Sequence, residues 1–136
     1  MPQETIRVGA AAIILCDGGI VLGIRKKAGN KGKRVFPGGK IHRGETAEAA
    51  MRREIREETG ITNLLTVQSI GFVESLPSDD DETHRIIIVF LVCTQERPLS
   101  QPQSDLSDPR VFPLQELPEN ISPLCKKMLK LYNGEG

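Results

Sequence analysis

Three carboxylates, those of Glu54, Glu57 and Glu58, lie within five consecutive residues shortly after the glycine pair Gly38-Gly39. In a helix that turns about 100° per residue, Glu57 and Glu58 fall within about 60° on either side of Glu54, so all three share one face. Clustered carboxylate oxygens with no histidine or cysteine among them suit hard divalent ions, which often bridge to a phosphate. The cluster therefore predicts a site for Mg2+ or Mn2+.

The apolar residues of the same segment support this prediction. Ala50, Met51 and Ile55 occupy the same arc of the helix or its edge. Arg52 and Arg56 point the opposite way. Carboxylates crowded beside a packed face repel one another and lose hydration, which raises their pKa values unless a cation neutralises them. The alternative is an ordinary surface helix with Glu–Arg pairs one turn apart.

The glycine pair has a use beside such a site. Gly38 and Gly39 allow the chain to bend sharply and to expose the Gly38 carbonyl oxygen as a further metal ligand, which a Cβ at that turn would hinder. The alternative is that the sequence Pro-Gly-Gly forms only a turn.

Capping and turn signals define the elements around the cluster. Thr46 caps a helix that runs to about Thr59, and Gly60 ends it. Asp17-Gly18-Gly19 predicts a hairpin, and Pro123 marks the first turn of an amphipathic C-terminal helix. Further strands are predicted in the segments VFPGG, LLTVQSIGFVESL, HRIIIVFLVCTQ and RVFPL, with a long loop over 97–113. Strands with two interspersed helices imply an α/β sandwich whose mixed sheet is covered on both faces.

Composition narrows the functional classes. The chain has 136 residues and predicts one domain over 1–136. Lysine plus arginine equals aspartate plus glutamate at 18 each, so the overall charge favours neither long nucleic acid nor a membrane surface. Three separated cysteines and no apolar run long enough to cross a bilayer predict a cytoplasmic protein with free thiols. The sequence contains no GxSxG, HExxH or complete P-loop motif.

One continuous pattern joins the glycines to the acids. Gly39, five residues, Glu45, seven residues and then Arg53-Glu54-Ile55-x-Glu57-Glu58-x-Gly60-Ile61 form a 23-residue stretch, here called the box. The box resembles the complete signature of the Nudix hydrolases, and the order of the other elements is similar to that of compact MutT-like members. Average residue frequencies make a chance match on the order of one in ten million.

The resemblance implies an α/β/α sandwich in which a loop-helix-loop holds a divalent metal. It also implies that water attacks one phosphorus of a nucleoside diphosphate linked to a group X. Glu57 and Glu58 are then the expected main metal ligands, together with the Gly38 carbonyl. Glu54 is expected to be a metal ligand or the general base for the water.

Other residues of the box receive supporting roles by the same resemblance. Arg53 is expected to face Glu57 across one turn and to take part in catalysis by orienting the box carboxylates through charge-assisted hydrogen bonds. Glu45 is expected to be a structural partner or an outer metal ligand. Gly39 and Gly60 are expected to be structural.

The loop before the last strand departs from the family pattern. MutT-like proteins often carry a further glutamate ligand there, whereas this chain offers Asp105 or Asp108. Which of the two replaces that glutamate is left open by the sequence.

Three residues outside the box are candidates for substrate binding. Arg25 ends a strand where related enzymes contact substrate, and Arg85 is a second candidate. Asn120 either reads a purine edge or caps the last helix. The remaining cations of the segment 25–34 are expected in a solvated loop.

The expected reaction cuts a nucleoside triphosphate, including a damaged or non-standard one, to a monophosphate and pyrophosphate. The alternative is an ADP-ribose or nucleotide-sugar pyrophosphatase. Pro77, sixteen residues after the box, is similar to a proline of the ADP-ribose-hydrolysing relatives, but MutT-like sequences can have a proline there too, so it does not separate the two. A non-catalytic nucleotide sensor is the alternative of another class, and the intact box acids argue against it. Five aromatic residues support an RNA-processing enzyme poorly. The resemblance also allows a homodimer.

Overall fold

The computed structural model describes residues 5–27, 30–78 and 81–135. Positions 28–29 of the predicted cationic loop and the ends of the predicted domain, 1–4 and 136, lie outside the described residues. The elements in chain order are β1 Ile6–Cys16, β2 Gly19–Arg25, β3 Arg34–Val35, β4 Gly38–Lys40, α1 Ala47–Thr59, β5 Thr66–Ser75, β6 His84–Cys93, β7 Leu106–Pro113 and α2 Pro123–Tyr132.

The described strands form one mixed sheet. Its order is β3-β2-β1-β6-β5, with β4 also paired to β1 and β7 also paired to β2. β1 and β6 run parallel, from Ile6 opposite His84 to Leu15 opposite Cys93. β1 turns into antiparallel β2 at Asp17-Gly18, whose φ values of 51° and 79° suit the tight hairpin that the sequence predicts.

β1 serves both faces of the sheet, which explains its nearly continuous apolar sequence. Ala12 and Ile14 pack with Ile55 of α1 in one buried cluster. Ile13 packs with Met128 of α2 in a second buried cluster on the opposite face. The predicted α/β/α sandwich with a mixed sheet is therefore confirmed.

α1 begins and ends where the sequence predicts. The Thr46 hydroxyl accepts the Ala49 N–H at 3.0 Å, and Gly60 ends the helix with a φ of 77°. Within the described ranges, neither helix has the length and apolar character that a membrane crossing requires.

α2 is capped by a residue other than the one considered from the sequence. The Ser122 hydroxyl accepts the Cys125 N–H at 3.2 Å, and Pro123 follows at the first helical position. The alternative in which Asn120 caps this helix is therefore wrong. Cys125 and Cys16 are buried free thiols, and Cys93 is a half-buried one.

β7 begins at Leu106, inside the predicted 97–113 loop. A bulge makes this possible: the register shifts opposite Gly23, and Asp108 takes a φ of 48°. Pro109 sits in this irregular step, where the ladder does not need its missing N–H. The sequence prediction was wrong here because a proline usually argues against a strand.

Candidate active site

β4 turns one edge towards α1. In an antiparallel pair, successive residues direct their backbone groups to opposite edges of the strand. The Gly38 N–H donates to Glu58 Oε1 at 2.8 Å, and the Lys40 carbonyl accepts from Arg53 Nη2 at 3.0 Å. The Gly38 carbonyl therefore lies on the edge of β4 that faces the box acids.

Gly39 leaves the space that Glu54 occupies. A Cβ built on Gly39 would lie 2.5 Å from the carboxylate carbon of Glu54 and 2.6 and 2.7 Å from its two oxygens. These distances are too short for a Cβ, so a side chain at the first position of the box would displace the Glu54 carboxylate from the place where Arg53 holds it.

Arg53 is the centre of the carboxylate network. Its Nε and Nη2 donate to the two oxygens of Glu45 at 2.7 and 3.0 Å. Its Nη1 donates to Glu54 Oε1 at 2.8 Å and to Glu57 Oε2 at 3.4 Å. The sequence emphasised the pair with Glu57, whereas the shorter hydrogen bonds hold Glu45 and Glu54.

Glu45 is engaged at both oxygens. Besides Arg53, its Oε1 accepts the His42 N–H at 2.9 Å. The hydrogen bonds from Arg53 and then from His42 lower the pKa of Glu45 to about 2. These contacts favour the structural role of Glu45 over that of an outer metal ligand.

The three predicted acidic ligands lie in different environments. The side chain of Glu58 is buried, that of Glu54 is 15% exposed and that of Glu57 is 53% exposed. Burial, reinforced by the negative charge of Glu54, raises the pKa of Glu58 to about 8. Burial also raises the pKa of Glu54, although the bond from Arg53 opposes this. The predicted position beside the packed face thus holds for Glu54 and Glu58, while Glu57 points outwards because it lies at the solvent side of the arc.

The donor set fits a hard divalent ion. Among the described residues, no three or more His, Cys, Asp or Glu side chains converge tightly enough to hold an ion as they stand. Buried Glu58 and half-buried Glu54 nevertheless act on each other as like charges, and a divalent cation would relieve this repulsion. Glu57 is the exposed candidate ligand, and its side chain would have to turn from Arg53 towards such an ion.

A cavity of about 560 Å³ opens beside these acids. Glu54, Glu57 and Glu58 line one part of it, and residues 101–105 line the other. Asp105 belongs to this wall, and its Oδ2 lies 2.9 Å from Lys27 Nζ. Its negative charge also acts on Glu58. Asp105 is therefore the loop acid that lies at the box.

Asp108 belongs to a separate network. Its Oδ2 accepts from Arg34 and from Arg110 at 2.8 Å each, and its carbonyl accepts from Arg34 at 2.7 Å. The bonds from Arg110 and Arg34 lower the pKa of Asp108. Arg34, which the sequence assigned to a solvated loop, is buried with its guanidinium 5.0 Å from the centre of the Phe112 ring. This network ties β3 to β7.

Of the three residues predicted to bind substrate, Arg25 is the one whose positive charge acts on an acid of the box, Glu58. Its Nε is buried and has no hydrogen-bond partner in the part of the chain that the structure describes. A cation in this position suits a role in attracting phosphate.

The other two residues predicted to bind substrate make hydrogen bonds away from the box. Arg85 Nε donates to Asp81 at 2.9 Å, and Asn120 Nδ2 donates to the Gly32 carbonyl at 3.3 Å. Neither Arg85 nor Asn120 is among the described residues that line the cavity beside the acids.

Sequence reasoning missed most of the wall opposite the acids. Gln101, Gln103 and Ser104 line the cavity, yet they carry neither charge nor a recognisable motif. The only available signal was their place in the loop before the last strand, where the family pattern was broken.

Comparison with known proteins decides the family. The NUDIX domain family model matches residues 5–132. The chain belongs to the Nudix hydrolase family. As a Nudix hydrolase, it acts on phosphoric anhydride bonds, and members of the family generally use divalent metal ions.

Relatives of this Nudix hydrolase carry different names. The ADP-ribose pyrophosphatase of Methanocaldococcus jannaschii is 38% identical over 130 residues, covering 93% of this chain and 75% of that protein. The 8-oxo-dGTP diphosphatase of Escherichia coli is 42% identical over 60 residues, covering 44% of this chain and 43% of that protein. A crystal structure of a MutT NUDIX hydrolase from Burkholderia pseudomallei superposes with a TM-score of 0.84 at 30% identity, covering 94% and 98% of the two chains.

Proposed function

We propose that this Nudix hydrolase uses Mg2+, with Mn2+ as the alternative ion, to cleave the pyrophosphate linkage of a nucleoside diphosphate joined to a group X. The water oxygen bonds to one phosphorus, and the bond from that phosphorus to the bridging oxygen breaks. The products are a nucleoside monophosphate and phosphorylated X. The observation that carries this proposal is the pair of buried Glu58 and half-buried Glu54, which Gly38 and Arg53 hold beside β4 where Gly39 leaves room.

The residues of the box have different roles in the proposed reaction. Glu57, Glu58 and the Gly38 carbonyl would hold the ion. A divalent ion bound there supplies positive charge to the pyrophosphate oxygens and to the attacking water. Arg53 holds Glu54 Oε1 at 2.8 Å, so Oε2 is the oxygen that accepts the proton of the water. The raised pKa of Glu54 makes it a stronger base than an exposed carboxylate.

Asp105 is our candidate for the loop acid that replaces the usual glutamate. It lines the cavity and acts on Glu58, whereas Asp108 is bound to Arg34 and Arg110. Asp105 Oδ2 holds Lys27, which leaves Oδ1 as the oxygen available to a ligand in the cavity.

A nucleoside diphosphate linked to a sugar is the first substrate candidate. The relative named ADP-ribose pyrophosphatase aligns along 93% of this chain, whereas the 8-oxo-dGTP diphosphatase aligns along 44%. Hydrolysis of ADP-ribose would yield AMP and ribose 5-phosphate. The nucleoside triphosphate expected from the sequence stays the second candidate, and the likeness to the MutT NUDIX hydrolase supports it.

A substrate panel tests the proposal. ADP-ribose, nucleotide sugars, dinucleoside polyphosphates and nucleoside triphosphates are incubated with Mg2+ or Mn2+, and the products are separated and quantified. We expect a nucleoside monophosphate to appear with either ion and to disappear when EDTA is added. If no member of the panel is cleaved with either ion, the proposal is contradicted.

A further inference from the structure

The wall opposite the box acids consists mainly of uncharged polar groups. Gln101, Gln103 and Ser104 present two carboxamides and one hydroxyl to the cavity, and Pro102 presents an apolar ring. Carboxamides and hydroxyls both donate and accept hydrogen bonds, as sugar hydroxyls do. Among the described residues that line the cavity, none is a lysine or an arginine.

The negative charge around the cavity favours a neutral X, such as a sugar, over a terminal phosphate. Four carboxylates line the cavity, those of Glu54, Glu57, Glu58 and Asp105. Arg53 binds Glu45 and Glu54, and Lys27 binds Asp105. Arg25 acts on Glu58 from outside the described lining residues. A terminal phosphate carries about two negative charges and would therefore meet no cation that belongs to the wall of residues 101–105. A sugar brings no such charge.

The backbone of this wall is fixed at both ends. The Leu99 N–H donates to the Thr59 carbonyl at 2.9 Å, which ties the loop to the end of α1. The Lys26 N–H donates to the Asp105 carbonyl at 3.0 Å, which ties it to the segment after β2. Between these points, the Ser104 N–H donates to the Gln101 carbonyl at 3.0 Å. The backbone that carries the polar side chains is therefore fixed before a substrate arrives.

The two glutamines differ in how free their carboxamides are. Gln101 Nε2 donates to the Leu99 carbonyl at 3.0 Å, so its Oε1 is the atom available to a ligand. The exposed side chain of Gln103 makes no hydrogen bond to any residue in the described ranges. Gln103 can therefore use both its donor and its acceptor.

We infer that residues 101–104 form the subsite for X, and that this subsite selects a polyhydroxylated, uncharged X such as a sugar over a terminal phosphate. The inference rests on the proposed function, because that function places the pyrophosphate at the box acids. Gln103 and Gln101 are the specificity-determining residues, and they bind hydroxyls of X.

Substitution of the glutamines tests the subsite. In the wild type, kcat/KM for ADP-ribose exceeds kcat/KM for ATP. Gln103→Leu lowers kcat/KM for ADP-ribose by about tenfold, mostly through KM, because a lost hydrogen bond is worth roughly this factor. The same variant changes kcat/KM for ATP by less than about twofold, since ATP has no sugar at this end. Gln101→Leu acts in the same direction.

Two further variants complete the experiment. Gln68→Leu, an exposed glutamine on β5, is the matched control and changes neither substrate. Gln103→Lys places a cation on the wall, lowers kcat/KM for ADP-ribose and raises it for ATP.

The possible failures are distinguishable. A wild-type preference for ATP, or an equal loss for both substrates in Gln103→Leu, would overturn the subsite while the hydrolase function stands. Hydrolysis of neither substrate nor of any other member of the panel would overturn the proposed function itself, and the subsite with it.

Discussion

The two helices cover opposite faces of one sheet, and both begin at a residue whose hydroxyl caps the helix. They differ in that only α1 buries charged side chains. α2 buries Cys125 and Met128 and leaves its lysines, Lys126, Lys127 and Lys130, exposed. α1 buries Met51 and Ile55 in the same way, yet it also buries Glu58 and most of Glu54.

The contrast shows what the fold needs and what it does not. α2 covers its face of the sheet without burying a charge, so packing alone does not require buried carboxylates. Burial of ionisable groups is unfavourable unless they are paired or bind a cation. The acids of α1 are therefore explained by chemistry at the site, as is common where a sequence departs from the patterns that favour stability.

The largest expected effect is the loss of turnover when the acids of α1 are neutralised. Glu58→Gln and Glu57→Gln each lower kcat on the order of a thousandfold, because charge neutralisation at the pyrophosphate depends on a bound ion. Steady-state kinetics with Mg2+ measures this. Glu48→Gln is the control on the same helix, since Glu48 is exposed and pairs with Arg52 at 3.0 Å. Full activity in both the Glu57 and the Glu58 variant would show that turnover does not need the acids of α1.

The pH dependence of stability is the next effect. Because the pKa of Glu58 rises from its usual 4.5 to about 8 on folding, the folded protein keeps a proton that the unfolded chain loses. Without metal, the free energy of unfolding therefore falls as pH rises from about 5 to about 8, by at most about 4 kcal/mol at about 1.4 kcal/mol per unit. The raised pKa of Glu54 acts in the same direction.

Denaturant unfolding in EDTA at several pH values measures this slope. Glu58→Gln should flatten it, and Mg2+ should restore stability at pH 8, because the ion binds the ionised form. The lowered pKa of Glu45 acts below this window and does not interfere. A wild-type protein with equal stability at pH 5 and pH 8 would show that burial of Glu58 does not matter.

A methyl group at the start of the box should have a smaller effect. Gly39→Ala places a Cβ 2.5 Å from the Glu54 carboxylate carbon and displaces it. We expect turnover to fall about a hundredfold and stability to fall only slightly, because the end of the flexible Glu54 side chain can move away from the new methyl group. Kinetics and thermal unfolding give the two values.

Gly18→Ala is the control for this substitution. Gly18 has a φ of 79° but no neighbouring atom within 4 Å of a Cβ. The variant should lose roughly 1–2 kcal/mol through backbone strain with unchanged turnover. Equal turnover in Gly39→Ala and wild type would contradict the close approach of Glu54.

The two aspartates of the loop and β7 should give the smallest effects. Asp105→Asn lowers kcat about tenfold with little change in stability, because Asp105 faces the box. Asp108→Asn keeps kcat and lowers stability by about 1–2 kcal/mol, because it weakens the bonds to buried Arg34. Asparagine accepts the positive φ of Asp108, so the change is electrostatic. The reverse pattern would move the loop acid to Asp108.

The sequence predicted those parts of the fold whose signals are local. Thr46 and Gly60 mark the ends of α1 by hydrogen bonds within one turn, and Asp17-Gly18 marks a hairpin by its own backbone preference. The start of β7 depends instead on Gly23, a residue of another strand, because the bulge lies opposite it. No pattern within β7 carries that information.

The sequence likewise predicted the parts of the site that depend on local spacing and missed those that depend on tertiary contacts. The glycines and acids of the box follow each other at fixed spacing, and their helical face can be derived from that spacing. The partners of Arg53 depend on how the segment before α1 returns Glu45 to the helix. Gln101 and Gln103 reach the cavity only because the loop after β6 is bonded to the end of α1, which is a tertiary contact.

The parallel pairing of β1 with β6 has a consequence for how the chain folds. Every residue of β1 in this ladder meets a partner 78 positions later, from Ile6 with His84 to Leu15 with Cys93. Pairing at such separation closes a large loop before it gains contacts, and it slows folding. During synthesis, the apolar strand that later supports both helices leaves the ribosome well before its partner exists. In that interval the edge of β1 that later pairs with β6 is open, and a chaperone can bind there.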